Sequence, residues 1–577
     1  MVAAVALVAW NGLRSDGDSA PEGRAETGEL GDGAFDPDRQ GPAAPVQGAV
    51  EGGTVTVSTA GTYGLKSWDP TAAYGGLPDF VLRGLVTRSL TQYVYDPQQG
   101  SSVLVPDLAT DLGTPNADFT EWTYTIRSGV RWEDGTEVTA DDVAFGVKRS
   151  FEPDNGAFSS VFAPAPFSRD FFLDGDTYQG PYKSGSQYSG VVVQGNTLTL
   201  KMRKPFPDMP YWAAYPAMGP IPESGSNPAT YGAHPLATGP YKVAGVAGRK
   251  TLTLVRNDEW DPDTDPGRRQ YPDRYVFHFG APSDHVAATI LDGSAVGQTA
   301  ISYDSPSPDD MRMAAGSGLL TTDIPDLCTH YWTFDVRTFD DIRVRRAVGY
   351  AFPYGEALSP FADVLDVTAE PGSSILPPGL PGRQRYSALP RTSSESGVNQ
   401  AKALLKAAGY APGEFVVRWP YTEDDPEQKA SIDAIVEALE SAGFDVRPVA
   451  VPVAPGIGEW AYDPQAPIDL RGLAWCGDYP SGSSWLPALF SSDGQTPWAL
   501  PPSMVKLVDA ESERIGALPI DQQLTEWGAL DKKVMREYFP ALAVSYKRWP
   551  MLHGSRIGGM NTDWGEPTWK DIYVSPR

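Results

Sequence analysis

The feature that most constrains the fold is an alternation of helix and strand patterns between residues 397 and 451. A helix predicted over Asn399–Ala408 is followed by a strand at Phe415–Trp419. A second helix, predicted over Glu427–Ala442, leads into a strand at Phe444–Val451. A strand, a crossover helix and a strand of this length form a βαβ unit, so this region predicts a parallel sheet in an α/β domain.

The first half of the chain has a different pattern, which favours β structure. Alternating residues predict strands at Gly53–Thr59 and Trp122–Arg127, and a strand pair spans residues 190–202. One clear helix is predicted at Thr139–Phe151, with Thr139 as its N-cap. With 577 residues, and about 150 per domain, we expect roughly three to four structural units that mix a β-rich half with an α/β half.

The N-terminus begins with an apolar run, Val2–Trp10, which has the length of a signal-peptide core but not the ~20 residues that span a bilayer. No Lys or Arg precedes the run, and no Cys follows it that could carry a lipid. Residues 11–50 are rich in Gly, Ala, Pro, Asp and Glu, which favours a disordered tether. We expect residues 1–10 to be a signal or anchor remnant and the chain to be exported, secreted or held at the outer face of a membrane; a frayed cytosolic N-terminus is the alternative.

Charge and motif content argue against several classes of function. The net charge of −27 repels phosphate backbones, so we expect no nucleic acid partner. The sequence contains no H-E-x-x-H, no G-x-S-x-G and no phosphate-binding loop of the G-x-x-x-x-G-K-[ST] type. We therefore expect a protein that is not an enzyme and holds no cofactor.

One acidic segment resembles a calcium loop in part. Asp261, Asp263 and Asp265 alternate as calcium ligands do, but Gly267 comes one position late and Pro272 stands where a Glu is needed. We expect a solvated acidic turn here and no metal site.

Aromatic residues are plentiful, with 16 Trp, 26 Tyr and 21 Phe. Aromatic side chains beside a few charged groups suit a cleft that encloses a ligand. A large core also uses aromatic residues, and composition alone favours that explanation.

Four separated segments resemble the family 5 extracellular solute-binding proteins, the peptide- and nickel-binding components of bacterial ABC importers. The segments are WTYTIRSGVRWEDGTEVTADDVAFGVKR (Trp122–Arg149), ATGPYKVAGVAGRKTLTLVRNDEW (Ala237–Trp260), LCTHYWTFDVRTFDDIRVRRAVGYAF (Leu327–Phe352) and AWCGDYPSGSSWL (Ala474–Leu486). Their order and spacing fit the family from about residue 53 to the C-terminus.

The resemblance implies an α/β fold, a two-lobed periplasmic-binding-protein-like clamshell of type II and similar to cluster C, with an extra β-rich subdomain in the first lobe. The first lobe is expected to comprise residues 51–79, 236–328 and 545–577, the inserted subdomain 80–235, and the second lobe 329–544. Such lobes close over a ligand by a hinge motion.

The resemblance also implies ligand-binding residues in the second lobe. In peptide-binding members the Asp of a W-x-x-D motif pairs with the α-ammonium of the ligand, and Asp478 after Trp475 holds that place. Trp475 is expected to lie along the ligand. A loop-holding role for Asp478 and core packing for Trp475 are the alternatives.

In the first lobe, the loop after Trp68 resembles the stretch whose backbone pairs with the ligand, which indicates Tyr74, Gly75 and Gly76. Related oligopeptide binders have a Glu at the place of Tyr74. Phe158 is a further aromatic candidate.

The sequence departs from the family pattern near Asp478. Tyr479 follows as in relatives and is a further ligand-binding candidate, but Pro480, Ser481 and Gly482 replace the usual continuation. The Arg that receives the peptide carboxylate in some relatives has Gly472 in its place, and Arg471, one residue earlier, is the remaining ligand-binding candidate. Carboxylate recognition and peptide length therefore stay open.

Cys328 and Cys476 permit one long-range bridge, which needs an oxidising compartment. L-C-T and W-C-x-D-Y in this spacing resemble oligopeptide binders in which these cysteines form a disulfide, so a Cys328–Cys476 bridge is expected.

Together these features predict a monomeric binding protein that delivers peptides, or a similar amine-bearing solute, to the permease of an ABC importer. The alternatives are another solute, such as a nickel complex or an oligosaccharide, or a cell-surface sensor or interaction protein that uses the same fold.

Overall fold

The computed structural model describes residues 35–61, 67–97, 101–152, 164–247, 250–322, 325–358, 368–390, 394–452, 456–496, 498, 500–563 and 566–576. Within these ranges, no helix is both long enough and apolar enough to cross a membrane.

The first lobe is built on a five-stranded sheet. Its first elements are β1 (Thr54–Thr59) and α1 (Gly76–Val81). The chain then forms a subdomain with a four-stranded antiparallel sheet and a separate hairpin. The subdomain elements are β2 (Thr91–Asp96), β3 (Ser101–Pro106), β4 (Thr114–Pro115), β5 (Glu121–Thr125), α2 (Ala140–Arg149), α3 (Pro164–Phe171), α4 (Pro181–Ser184), β6 (Val191–Gln194), β7 (Thr197–Lys201) and α5 (Met209–Trp212).

The chain returns to the first lobe and completes its sheet in the order β11-β1-β10-β9-β8. The elements added are β8 (Tyr241–Ala247), β9 (Thr251–Arg256), β10 (Arg274–Phe279), α6 (Ser283–Leu291), β11 (Ala300–Ser302), α7 (Pro308–Ala314) and β12 (Leu320–Thr321). β1 runs parallel to both β10 and β11, so segments far apart in sequence are neighbours in this sheet.

The second lobe contains most of the helices. Its elements are β13 (Pro325–Phe334), α8 (Ile342–Ala351), α9 (Tyr354–Leu358), β14 (Ala369–Pro371), α10 (Ser394–Ala408), β15 (Val416–Thr422), α11 (Pro426–Ser441), β16 (Asp445–Val451), α12 (Gly456–Tyr462), β17 (Leu470–Cys476), α13 (Leu486–Phe490), α14 (Pro502–Gly516), α15 (Ile520–Glu537) and β18 (Ala541–Arg548). The C-terminal segment adds β19 (Met551–Leu552), β20 (Ile557–Gly558), β21 (Thr562–Asp563), β22 (Glu566–Pro567) and β23 (Tyr573–Val574).

The predicted βαβ unit is confirmed, because β15 and β16 pair in parallel with α11 between them. The helix before them begins at Ser394, five residues earlier than predicted. Serines and Gly397 in its first turns lower the local helix propensity, which hid the true start. Gly397, Ala401 and Leu405 form a buried stripe, so packing rather than propensity holds the first turns.

The helix predicted at Thr139–Phe151 is also confirmed, as α2. Thr139 caps it in a capping box: its side chain accepts the Asp142 N–H, and Asp142 accepts the Thr139 N–H. Buried side chains form separate cores for the β1 sheet, the subdomain and the second lobe, which include Val57, Trp212 and Trp419 respectively.

Two neighbouring segments join the lobes. β12 leads into β13, and β18 leads back into β19. β13 pairs with β18 on the second-lobe side, and β12 pairs with β19 on the first-lobe side. The two crossings therefore lie side by side, an arrangement that lets two lobes rotate about a common hinge.

The expectation of a disordered tether over residues 11–50 is wrong for its described part, residues 35–50. This segment lies against the first lobe: the Ala43 N–H donates to Asp265 O at 3.1 Å, and the Val46 N–H donates to the Tyr271 hydroxyl at 2.9 Å. The segment buries little apolar surface of its own, but its backbone is satisfied by the folded body, which composition cannot reveal.

The solvated acidic turn expected at residues 261–265 is also wrong in one respect. Asp265 is fully buried, and its carboxylate meets Arg268 at 3.2 Å and Arg88 at 3.7 Å. Burial alone raises the pKa of a carboxyl, but these two guanidinium groups outweigh it and hold the pKa of Asp265 below its usual range.

Candidate functional site

The loop that carries Tyr74 is anchored by a buried ion pair. Asp69 caps the short 3₁₀ turn that follows it, accepting the Thr71 N–H at 3.0 Å. The same carboxylate accepts two hydrogen bonds of 2.6 Å from Arg149, at the end of α2 in the subdomain. Because both side chains are fully buried, this pair fixes the loop to the subdomain.

Gly75 and Gly76 follow Tyr74 and begin α1. Both residues are exposed and have positive φ angles, 64° and 72°, which side chains adopt with strain. A Cβ built at either position meets nothing within 4 Å. The space beside both Cα atoms is therefore open, although the backbone of Gly75 forms a hydrogen bond with the Asp79 carboxylate.

In the second lobe, a disulfide fixes the end of β17. The predicted Cys328–Cys476 bridge is present and joins β17 to β13, next to the hinge. The indole N–H of Trp475 donates to Ser484 O at 2.8 Å, so Trp475 holds the turn that follows. Its half-buried ring packs on the second-lobe core.

Asp478 and Tyr74 meet across the cleft. The Tyr74 hydroxyl donates to Oδ1 of Asp478, and the Tyr215 hydroxyl donates to the Asp478 backbone O. The rings of Tyr74 and Tyr215 stack with centroids 5.4 Å apart. Two phenols of the first lobe thus contact one residue of the second.

Asp478 is open to water as a residue, although protein atoms of both lobes crowd its carboxyl group. This crowding raises the pKa of Asp478 to about 6, and the Tyr74 hydrogen bond offsets part of the rise. The pKa of Tyr74 lies well above its usual value, because of burial first and the charge of Asp478 second. The described partner of the carboxylate is a neutral donor, so a cation in the cleft would stabilise its charge.

A second contact crosses the cleft beside the first. Ser483 Oγ donates to Oδ2 of Asp208 at 2.6 Å, and the Tyr211 and Tyr479 rings stack 5.6 Å apart. Sequence reasoning predicted Tyr479 but missed the other three residues. The aromatic run Tyr211-Trp212-Ala213-Ala214-Tyr215 was a signal for this contact in the sequence. The run does not indicate which residues it contacts, because these lie more than 260 positions away.

The structure does not bring Arg471 to this group. Arg471 is fully buried and donates to Asp463 O at 2.6 Å and to Trp460 O at 2.8 Å, both near the C-terminus of α12. Its guanidinium also lies 4.8 Å from the Trp498 ring. The carbonyl groups at the end of α12 and the buried Asp335 carboxylate, 3.6 Å from the guanidinium, account for this position. Phe158 lies outside the described residues.

Two lobes joined by adjacent crossings, with an ionisable group of one lobe facing phenols of the other, define a clamshell binding protein. The chain belongs to the family described as "Bacterial extracellular solute-binding proteins, family 5 Middle", whose profile matches residues 103–497. The resemblance found in the sequence is thereby confirmed, and members of this family are binding components of ABC importers.

Two curated relatives illustrate the similarity. The glutathione-binding protein GsiB of Salmonella typhi is 24% identical over 406 residues, covering 67% of this chain and 67% of GsiB. The periplasmic oligopeptide-binding protein OppA of Salmonella typhimurium is 22% identical over 418 residues, covering 68% of this chain and 71% of OppA. Both relatives are named as binding proteins.

Solved structures confirm the predicted fold class. Clavulanic acid biosynthesis oligopeptide binding protein 2 superposes with a TM-score of 0.77 at 23% identity, covering 94% of this chain and 100% of its own. The unliganded open form of the periplasmic murein tripeptide-binding protein MppA gives a TM-score of 0.73 at 20% identity, covering 92% and 99%.

Proposed function

We propose that this protein captures a peptide, or a similar amine-bearing solute, between its lobes outside the cytoplasm and delivers it to an ABC importer permease. The observation that carries the proposal is the position of Asp478: its carboxylate lies between the lobes and its described partner is the neutral Tyr74 hydroxyl. An α-ammonium supplies the positive charge that this hydroxyl lacks. Trp475, Tyr74 and the exposed residues Gly75 and Gly76 supply the contacts along the ligand.

Calorimetric titration with trialanine and N-acetyl-trialanine tests the recognition of the amine. A charge-assisted hydrogen bond contributes roughly 1.5–3 kcal/mol, so acetylation and Asp478→Asn should each weaken binding about 10- to 100-fold. Asp493→Asn, which removes an exposed carboxylate of the same lobe, is the matched control and should bind like the wild type. Equal affinity for the two peptides contradicts the proposal.

Mass spectrometry of the solute that copurifies tests the substrate class without a chosen probe. Peptides or small amines support the proposal, whereas a recurrent nickel complex or oligosaccharide overturns it. Delivery is tested separately: cells that lack the chain should lose uptake of the bound peptide, and the Asp478→Asn chain should restore uptake poorly.

The remaining expectations follow from the same proposal. We propose that the protein is a monomer held near the membrane by its N-terminus. We also propose that the first lobe, the subdomain at residues 80–235 and the second lobe move as three bodies of the clamshell. We propose lobe boundaries at the two crossings, before β13 and after β18, in place of residues 328 and 544, because β13 pairs with β17 and β18 in the second lobe. Fluorescence transfer between dyes on the two lobes, with and without trialanine, tests the motion.

A further inference from the structure

A contact between the lobes that lies beside Asp478 has no part in the proposed ligand recognition. Asp208 is the N-cap residue of α5 in the subdomain and is 4% exposed. Ser483, in the turn after Asp478, places its Oγ 2.6 Å from Oδ2 of Asp208. A carboxylate so buried is costly unless hydroxyl groups solvate it, and here the solvating hydroxyl belongs to the opposite lobe.

The hydroxyl groups around Asp208 form a chain. Ser481 Oγ lies 2.8 Å from Ser483 Oγ. A hydroxyl carries one proton, so when Ser483 donates to Asp208 the hydrogen between the two serines comes from Ser481. Burial raises the pKa of Asp208 more than the hydroxyl groups of Ser483, Ser481 and Tyr479 lower it, and the net pKa is about 6. Asp208 therefore interacts with the segment Asp478–Ser484 at several points.

An aromatic stack reinforces the same contact. Tyr211, three residues after Asp208, stacks on Tyr479 with the ring planes 13° apart. The ring of Phe35, from the segment before β1, also contacts the Tyr211 ring, with centroids 5.5 Å apart. Tyr479 is the direct neighbour of Asp478, so a displacement of this stack moves the ligand-reading carboxylate.

We propose that Asp208 is a positioning residue: through Ser483 it holds the segment Asp478–Ser484 against the first lobe and so sets how long the closed cleft retains its ligand. Opening exposes the Asp208 carboxylate to water, which recovers its solvation. The contact between Asp208 and Ser483 can therefore break and re-form. Because it exists only in the closed cleft, its loss should accelerate opening more than it slows closing.

Hydrogen exchange in the ligand-free protein tests the positioning itself. Asp208→Ala and Ser483→Ala should each raise the exchange of the amides in segment Asp478–Ser484 at least about threefold, while the β15 and β16 amides stay unchanged. Ser492→Ala, which alters an exposed serine of the second lobe, should leave the exchange rates of both regions unchanged. Unchanged exchange in segment Asp478–Ser484 overturns the proposal.

Stopped-flow kinetics with trialanine test the consequence for the ligand, which rests on the proposed function. Asp208→Ala should raise the dissociation rate about tenfold and change the association rate less than twofold. Asp208→Asn, whose amide oxygen can accept the Ser483 hydroxyl, should recover most of the loss. The double variant of Asp208→Ala with Ser483→Ala should be no worse than Asp208→Ala alone, because the two residues share one interaction.

Additive losses, or equal changes in both rates, indicate a merely structural role and overturn the proposal. If trialanine does not bind the wild type, the proposed function fails, and the exchange experiment still decides the role of Asp208.

Discussion

At the scale of the residue, burial and the hydrogen bond from Tyr74 act in opposite directions on the pKa of Asp478. Crowding favours the neutral carboxyl group, and the Tyr74 hydroxyl favours the ionised one. The sequence identified both residues through the W-x-x-D motif and the loop after Trp68, because a motif is recognised from the order of residues alone. Their contact and its electrostatic effect depend on how the lobes face each other.

Tyr74→Phe removes the hydroxyl that lowers the pKa of Asp478, so this pKa should rise above about 6. The midpoint of the pH dependence of trialanine binding should move upward with it, because only the ionised carboxylate attracts the ammonium. Calorimetric titrations between pH 5 and pH 8 measure the midpoint. Tyr95→Phe, a tyrosine of the hairpin edge, is the control; a midpoint that stays in place for Tyr74→Phe contradicts the role given to the hydroxyl.

Ligand affinity and ligand-free stability should depend on pH in opposite directions. Burial raises the pKa of Asp79, Asp208, Asp478 and Asp531 to about 6 each. Between about pH 4 and pH 6 the folded chain binds protons that the unfolded chain has released, so the contribution of these groups to stability is lost as pH rises through that window.

Burial lowers the pKa of His330 to about 4 and also lowers that of His553, so these two groups oppose the four carboxyl groups as the pH falls. Because the carboxyl groups outnumber them, lowering the pH from 7 to 5 should raise the melting temperature of the ligand-free protein while weakening trialanine binding. Differential scanning calorimetry and titration calorimetry on the same samples measure the two trends. Stability and affinity that rise together would refute the link between them.

At the scale of the element, the buried pair of Asp69 and Arg149 connects the Tyr74 loop to α2. Neither partner is predictable as such from sequence, since they lie 80 residues apart. The capping of α2 was predictable, because a capping box is local. The start of α10 was not, because its first turns depend on burial of Gly397 against neighbouring elements.

Arg149→Met should lower the free energy of unfolding by about 3–5 kcal/mol, because it leaves the Asp69 carboxylate buried without its partner. Arg203→Met removes an exposed ion pair with Asp176 and should cost less than about 1 kcal/mol. Urea denaturation followed by tryptophan fluorescence compares the two variants. Similar losses would show that the pair does not anchor the loop.

At the scale of the whole molecule, the disulfide joins two strands next to the hinge. Replacing both cysteines, Cys328→Ser together with Cys476→Ser, should lower the stability of the second lobe by about 2–4 kcal/mol, since the bridge closes a long loop. Calorimetry with and without reductant measures the effect in the variant and the wild type. Reductant should lower the melting temperature of the wild type and leave that of the variant unchanged; insensitivity of both would contradict a stabilising bridge.

The sequence by itself determined the features that depend on local pattern or on motif: the βαβ unit, the cap of α2, the family, the disulfide and the identity of Asp478, Trp475 and Tyr74 as candidates. Only the tertiary structure decided which of the candidates meet. In the folded protein Asp478 contacts Tyr74, and Asp208 contacts Ser483. Arg471 lies instead at the end of α12, and residues 35–50 lie on the first lobe. The reason is physical. The hydrogen bonds of a helix cap and the pairing within a βαβ unit come from residues nearby in the chain. The partner of a charged group in a cleft depends instead on how two lobes pack, and the contacting residues lie hundreds of positions apart.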